Sequence, residues 1–143
     1  MIEIFGNFWD ELGDLHVITT NGTVKRNGGA VMGRGIAAQA KRKLPYIDAT
    51  LGQAIRDKGN NVHCLGMWGR YEIASFPVKW NWWEDADLEL IERSAHQLVA
   101  LSEEYHKIVM VRPGCGNGNL EWDVVKPVLN PILDDSFYII NNN

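Results

Sequence analysis

Two stretches of this chain repeat one arrangement: an apolar strand runs into a glycine-rich loop, and the loop opens a helix. In the first, Leu15-His16-Val17-Ile18 leads into Thr19 to Gly35, and a helical pattern follows from Ile36 to Lys43. Five of the chain's 14 glycines (22, 28, 29, 33 and 35) fall in that loop, where backbone must turn sharply or approach a ligand closely. In the second, Lys107 to Val111 reads as a buried strand and Arg112-Pro113-Gly114-Cys115-Gly116-Asn117-Gly118-Asn119 follows it. Leu120-Glu121-Trp122 then opens a helical segment, with Asn119 as its expected N-cap. A helix N-terminus reached through glycines offers unpaired N–H groups and the positive end of a dipole, which is an anion site and most often a phosphate site. In open α/β sheets, ligands sit beyond the carboxyl ends of the strands. Two such units in one small chain therefore predict two halves of a single site, with a diphosphate as its simplest ligand. Taken singly, each loop reads equally well as an ordinary turn region.

The remaining segments predict the frame around these units. Ile2 to Phe5 reads as a first strand forming a pair with Leu15 to Thr20. Pro45 ends the helix begun at Ile36, and a further helix runs from Asp48 to Lys58, closed by Gly59. Val62 to Met67 and Glu72 to Phe76 read as strands of a hairpin turning near Gly69. Asp85 is placed as the cap of a helix whose Leu88, Ile91, Ala95, Leu98 and Leu101 recur at helical spacing. Pro127 and Pro131 must bend or shorten the helix after Trp122. Phe137 to Ile140 is a last strand, and Asn141 to Asn143 a polar tail. Strands alternating with helices indicate an α/β fold of three layers, α/β/α, around a mixed central sheet of about six strands.

Composition bounds the function. The 143 residues fit a single domain over 1–143, and 45% hydrophobic with 22% charged residues is ordinary for a folded globular chain. No apolar run approaches the roughly 20 residues that span a bilayer. The N-terminus lacks a basic-then-apolar signal, and two cysteines are too few for a disulfide framework, so a reducing, cytoplasmic setting is expected. A net charge of −4 argues against a broad electrostatic footprint on nucleic acid, though not against a nucleic acid bound locally. No spacing of His, Cys, Asp or Glu matches a metal site, and neither a metal nor a cofactor is expected. Gly33-x-Gly35-x-x-Ala38 imitates a dinucleotide fingerprint, but no acidic residue follows after a next parallel strand, which rejects a dehydrogenase.

In order and spacing, these motifs resemble the macro-domain family, which binds ADP-ribose. The residues that carry the resemblance are Asp14 to Asn21, Gly28 to Ala37, Phe76-Pro77-Val78-Lys79 and Gly114 to Trp122, continuing to Val125 and Pro127. Taken in this order, the resemblance spans nearly the whole chain. The likeness is strongest to the branch of ADP-ribosyl glycohydrolases that includes the bacterial antitoxin acting on ADP-ribosylated thymidine in DNA. The resemblance implies that Asn21 contacts the distal ribose. The backbone of Val31, Met32, Gly33, Arg34, Gly35 and Ile36, beyond Gly28 and Gly29, would hold one side of the diphosphate. That of Gly114, Cys115, Gly116, Asn117, Gly118 and Asn119 would hold the other. Many members grip the adenine amino group with an acidic residue after the first strand; here Gly6-Asn7-Phe8 stands there, so Asn7 takes that place. Some relatives add an aspartate in the second loop where this chain has Gly118, which argues against a paired Lys/Asp mechanism.

Lys79 is the catalytic residue that the resemblance implies, set at the anomeric carbon of the distal ribose. Read without it, a lysine after a strand and beside Trp80, Trp82 and Trp83 is an ordinary surface residue. As a neutral amine it would attack C1″, expel the attached group and leave an imine for water to cleave. The implied activity is removal of ADP-ribose from a nucleic acid or protein. Phosphatase action on ADP-ribose 1″-phosphate, or ADP-ribose binding without turnover, are the alternatives. Cys115 reads as a small packed residue rather than a nucleophile, since no histidine is paired with it. His16 and His63 read as strand residues, and His96 and His106 as helix-surface positions. Trp80-Asn81-Trp82-Trp83 is either a hydrophobic lid or a surface on which a base stacks. Lys41-Arg42-Lys43 reads as a solvated helix end.

Overall fold

A computed structural model describes residues 1–142 of the chain. Its strands are β1 (Ile2–Gly6), β2 (Leu15–Asn21), β3 (His63–Trp68), β4 (Tyr71–Lys79), β5 (Ile108–Val111) and β6 (Phe137–Asn142). The helices are α1 (Gly35–Lys43), α2 (Ile47–Lys58), α3 (Leu88–Leu101) and α4 (Trp122–Leu129). One sheet joins the strands in the order β1-β6-β5-β2-β4-β3, and every pairing is parallel except β3 with β4. The expected α/β fold with a mixed sheet is therefore present.

β2 is buried along most of its length, as a central parallel strand must be when helices cover both faces. Alternate residues serve opposite layers. Leu15 and Val17 join Phe76, Met110 and Ile139 against Ile91, Ala95 and Leu98 of α3 and Val125 and Leu129 of α4. Ile18 joins Ile73, Val109 and Ile140 against Ile36 and Ala40 of α1 and Ile47 and Leu51 of α2. Each fully buried aliphatic side chain of this kind stabilises by roughly 1.5–3 kcal/mol. No helix among the described residues is long and apolar enough to cross a membrane.

Several local expectations change. β1 pairs with β6, not with β2. The connection after Gly6 is too long for a tight hairpin, and the N-terminus is tied beside β6 by the bond from its amine to Leu133 O (3.0 Å). The hairpin β3–β4 alone makes the sheet mixed, turning at Gly69 (φ +59). Asp87, not Asp85, caps α3: its carboxylate accepts from the amides of Glu89 and Leu90. Asn119 does not cap α4, whose N-cap is Glu121; it lies two residues earlier at φ +64. Pro127 sits inside α4, which is only eight residues long and ends before Pro131. Of the expected polar tail, Asn141 and Asn142 extend β6, and Asn143 lies outside the described residues.

The first glycine loop is clamped onto α2 at a glycine that sequence periodicity does not single out. Ala30 N donates to Asp48 O (2.9 Å), and a Cβ built on Gly52 would lie 1.9 Å from Gly28 O. In an exposed helix, Gly→Ala stabilises by about 1 kcal/mol. Here the clash with backbone should dominate, so Gly52→Ala is expected to destabilise by roughly 1–3 kcal/mol. Urea unfolding checks this; a higher midpoint for the variant would show that the loop is not held against α2.

Candidate functional site

Beyond the carboxyl ends of β2, β4, β5 and β6 lies a cleft of about 1080 Å³, walled by the two glycine loops. Asn21 organises the first wall. Its Nδ2 donates to Val31 O (3.0 Å) and its Oδ1 accepts from Thr23 N (2.9 Å). Val31 N is itself spent on Thr23 O (3.0 Å), so the free stretch of this wall begins at Met32. It delivers α1, whose N-cap Arg34 is extended and provides no side-chain cap, and whose first turn holds no acidic residue. The first-turn amides of α1 thus meet the cleft without a protein anion to satisfy them.

The second wall is a tight loop. Gly114 and Gly116 take φ of +75° and +79°. Cys115 N donates to Arg112 O (3.4 Å), Asn119 N to Gly116 O (3.0 Å) and Leu120 N to Gly114 O (3.0 Å). Those bonds, with the bridge between Cys115 and Leu120 that engages Gly116 N, use some of the expected donors; among the described residues, the amides of Asn117 and Gly118 enter no backbone bond of the loop. Position 118 admits no side chain, because a Cβ there would lie 2.3 Å from Gly114 O and 2.8 Å from Ala86 Cβ. An aspartate at this point is excluded by lack of room.

The walls meet. A Cβ on Gly35 would stand 3.1 Å from Asn117 Nδ2, and Lys79 Nζ donates to Asn117 O (3.2 Å). Lys79 reaches this point through a break in the β2–β4 ladder. Thr20 pairs with Pro77, the register then shifts, and Asn21 pairs with Lys79. Pro77 has no N–H to give the ladder. The strand end is held instead by Ser94 Oγ donating to Pro77 O (2.7 Å), Asp87 N to Val78 O (2.8 Å) and Asn60 Nδ2 to Lys79 O (3.0 Å). Two side chains 58 positions apart in sequence become neighbours on a pinned backbone.

Fourteen of the expected site residues line this one cleft: Asn21, Val31, Met32, Gly33, Arg34, Gly35, Ile36, Lys79, Gly114, Cys115, Gly116, Asn117, Gly118 and Asn119. Three do not. Asn7 is exposed and turns its Oδ1 to Trp9 N (2.9 Å), while Gly28 and Gly29 form the tip of a small hairpin packed on α2. Asn119 spends its side chain on Asp85 (2.7 Å). The cleft also takes in Lys25, Trp82, Arg112, Glu121 and Trp122, none of them among the residues expected to bind ADP-ribose. Arg112 had a signal, since it directly follows the carboxyl end of β5. It stacks on Trp122 (5.0 Å) beside Glu3, whose carboxyl is held below its usual range, first by the hydrogen bond from Lys126. Four cationic side chains, Lys25, Arg34, Lys79 and Arg112, line the cleft against one acidic one, Glu121, in a chain of net charge −4. The local sign opposes the global one, as an anion site requires.

The other candidates settle into structural positions. His16 is buried, with Nε2 2.9 Å from Glu11 O, and burial pushes its pKa down. His63 bonds Gly59 O (2.8 Å). Among the described residues, no group of three or more His, Cys, Asp or Glu could hold a metal ion. Trp80 bonds Asp87 and carries Arg93 on its ring, whereas Trp82 and Trp83 remain about half or more exposed (49% and 65%). The tryptophans therefore do not enclose Lys79; Trp82 borders the same cleft.

Comparison with known proteins follows the same line. No protein-family profile matches the chain. The DNA ADP-ribosyl glycohydrolase of Thermus aquaticus is 31% identical over 113 residues, which are 73% of this chain and 31% of that protein. The chain thus spans under a third of the length of this curated relative. Among solved structures, the macrodomain of Thermus aquaticus DarG aligns with a TM-score of 0.77 at 25% identity, covering 99% of this chain and 97% of that one. The macrodomain of Mycobacterium tuberculosis DarG aligns at 0.78 with 23% identity, over 96% and 95% of the two chains. Thermosipho africanus DarTG in complex with ADP-ribose aligns at 0.82 with 19% identity, over 99% of this chain and 42% of that one.

The cleft's thiol is not built as a nucleophile. Cys115 Sγ lies 3.7 Å from Pro113 O, and burial pushes its pKa up, whereas Cys64 is exposed. Alkylation near pH 8, followed by mass spectrometry, is expected to modify Cys64 roughly tenfold faster than Cys115. Equal rates would mean that the second loop opens freely.

Proposed function

The chain is a macro domain, and we propose on that premise that its cleft binds ADP-ribose and hydrolyses the bond joining ADP-ribose to a nucleic acid. The observation that carries this reading is the meeting of both amide walls and Lys79 at Asn117. A diphosphate held between Met32–Ile36 and the amides of Asn117 and Gly118 leaves its distal ribose beside Lys79 and Asn21. The curated relative supports the choice of target, because its name specifies DNA. Arg34 and Arg112, lining the cleft, balance the diphosphate charge. Two free cysteines fit a reducing cytoplasm.

The chemistry needs only Lys79 and water. The neutral amine of Lys79 adds to C1″ and the C1″–base bond breaks, its electron pair leaving with the base, which takes a proton. Opening of the ribose ring returns a proton to O4″ and leaves an imine on Nζ. Water adds across the imine, releasing ADP-ribose and restoring the amine. Asn117 O, which accepts from Nζ, fixes its direction. Position 118 has no room for a carboxylate to share the work.

Calorimetry with ADP-ribose and chromatographic assay of ADP-ribose release from a modified single-stranded oligonucleotide test the reading. Lys79→Ala is expected to keep ADP-ribose affinity within about threefold and to lose at least about 100-fold in release. Equal release by both proteins would remove Lys79 from the mechanism. Binding without release from any substrate would reduce the chain to a binding module, and phosphate release from ADP-ribose 1″-phosphate would point to phosphatase action.

A further inference from the structure

Trp82 and Trp83 are large apolar side chains left at the surface where the cleft opens. Their rings pack edge to face, with centroids 5.9 Å apart and planes at 88°. Such a pair covers one indole face at most and leaves another open for a planar partner. The pair is held in place: Trp82 N donates to Thr23 Oγ1 (3.1 Å), tying the segment after β4 to the first loop. The acidic groups of the same segment lie at the surface, each engaged by a hydrogen bond from a neighbour. Glu84 accepts from Asn81, Asp85 from Asn119, and Asp87 from Trp80 and the amides that begin α3. The loop that Trp82 touches carries Lys25 and Arg26, and among the described residues neither makes an ion pair. Arg56 reaches the same loop through Lys25 O (3.1 Å).

Exposed indoles beside a loop of unpaired cations are the chemistry of single-stranded nucleic acid recognition: bases stack on the rings while the cations follow the phosphates. We propose that Trp82 and Trp83 form a stacking platform for bases of a single-stranded nucleic acid, with Lys25 and Arg26 contacting its backbone. The platform lies at the Lys79 side of the cleft, where a group attached to the distal ribose emerges. It rests on the ADP-ribose reading for its purpose, since it positions the strand whose modified base is cleaved. A protein substrate gives no reason for two open indoles beside unpaired cations, and a duplex keeps its bases stacked on one another.

The test uses a fluorescently labelled, unmodified single-stranded oligothymidylate of about a dozen nucleotides, read by anisotropy at low salt. The wild type is expected to bind it. Trp82→Ala and Trp83→Ala should each weaken binding at least about fivefold, Trp82→Phe should retain most of it, and Arg26→Ala should flatten the salt dependence. ADP-ribose affinity of Trp83→Ala, measured separately by calorimetry, should stay within about twofold of the wild type. No oligonucleotide binding by the wild type, or equal binding by both alanine variants, overturns the platform. So does a loss of release from an ADP-ribosylated peptide as large as that from the oligonucleotide. Failure of ADP-ribose to bind the wild type refutes the cleft reading instead, and the oligonucleotide measurement still decides whether the platform exists.

Discussion

A strand that cannot complete its hydrogen-bond ladder sets the geometry of the site. Pro77 interrupts the β2–β4 ladder just before Lys79, and the register slips by one at that point. The gap is closed by donors from elsewhere: Ser94 on α3, Asp87 at its cap, and Asn60 after α2. The end of β4 is thereby fastened to both helical layers. Lys79 stands on backbone held from three sides, next to Asn21, whose carboxamide holds the first loop. A lysine has four rotatable side-chain bonds, so a fixed anchor and one acceptor, Asn117 O, confine it better than burial alone would.

Around that anchor the cleft is built mainly from backbone. Its anion-binding capacity comes from uncapped first-turn amides of α1 and from the amides of Asn117 and Gly118. Side chains contribute the field: four cations against one carboxylate, in a chain that is negative as a whole. The glycines have separate duties. Gly35 permits the approach of the two walls, Gly118 makes room for the loop's own carbonyl, and Gly52 receives the first loop on α2. The packing of Gly118 against Gly114 O and Ala86 leaves no space at that position for a catalytic carboxylate beside Lys79.

Much of the frame was legible because it is local. The strand–glycine–helix units, the turn at Gly69 and the apolar period of α3 follow from near neighbours in the chain. Cap assignments failed by two residues at Asp85 and at Asn119, since each of those side chains bonds the other instead of its own helix. Gly28 and Gly29 looked like part of the anion loop, but their conformation serves the contact with Gly52, some 24 residues away in sequence. Trp82 was visible as an aromatic residue, yet only the bond to Thr23 places it at the cleft.

The sequence by itself determined an α/β chain with two anion-facing loops and a lysine at a strand end, because periodicity, glycine and proline act within a few residues. Tertiary structure decided that the loops share one crevice and that β1 closes the sheet against β6. It also decided that Lys79 and Asn21 stand side by side. Those outcomes depend on strand order and on a one-residue register shift, and neither is encoded in the spacing of any single motif.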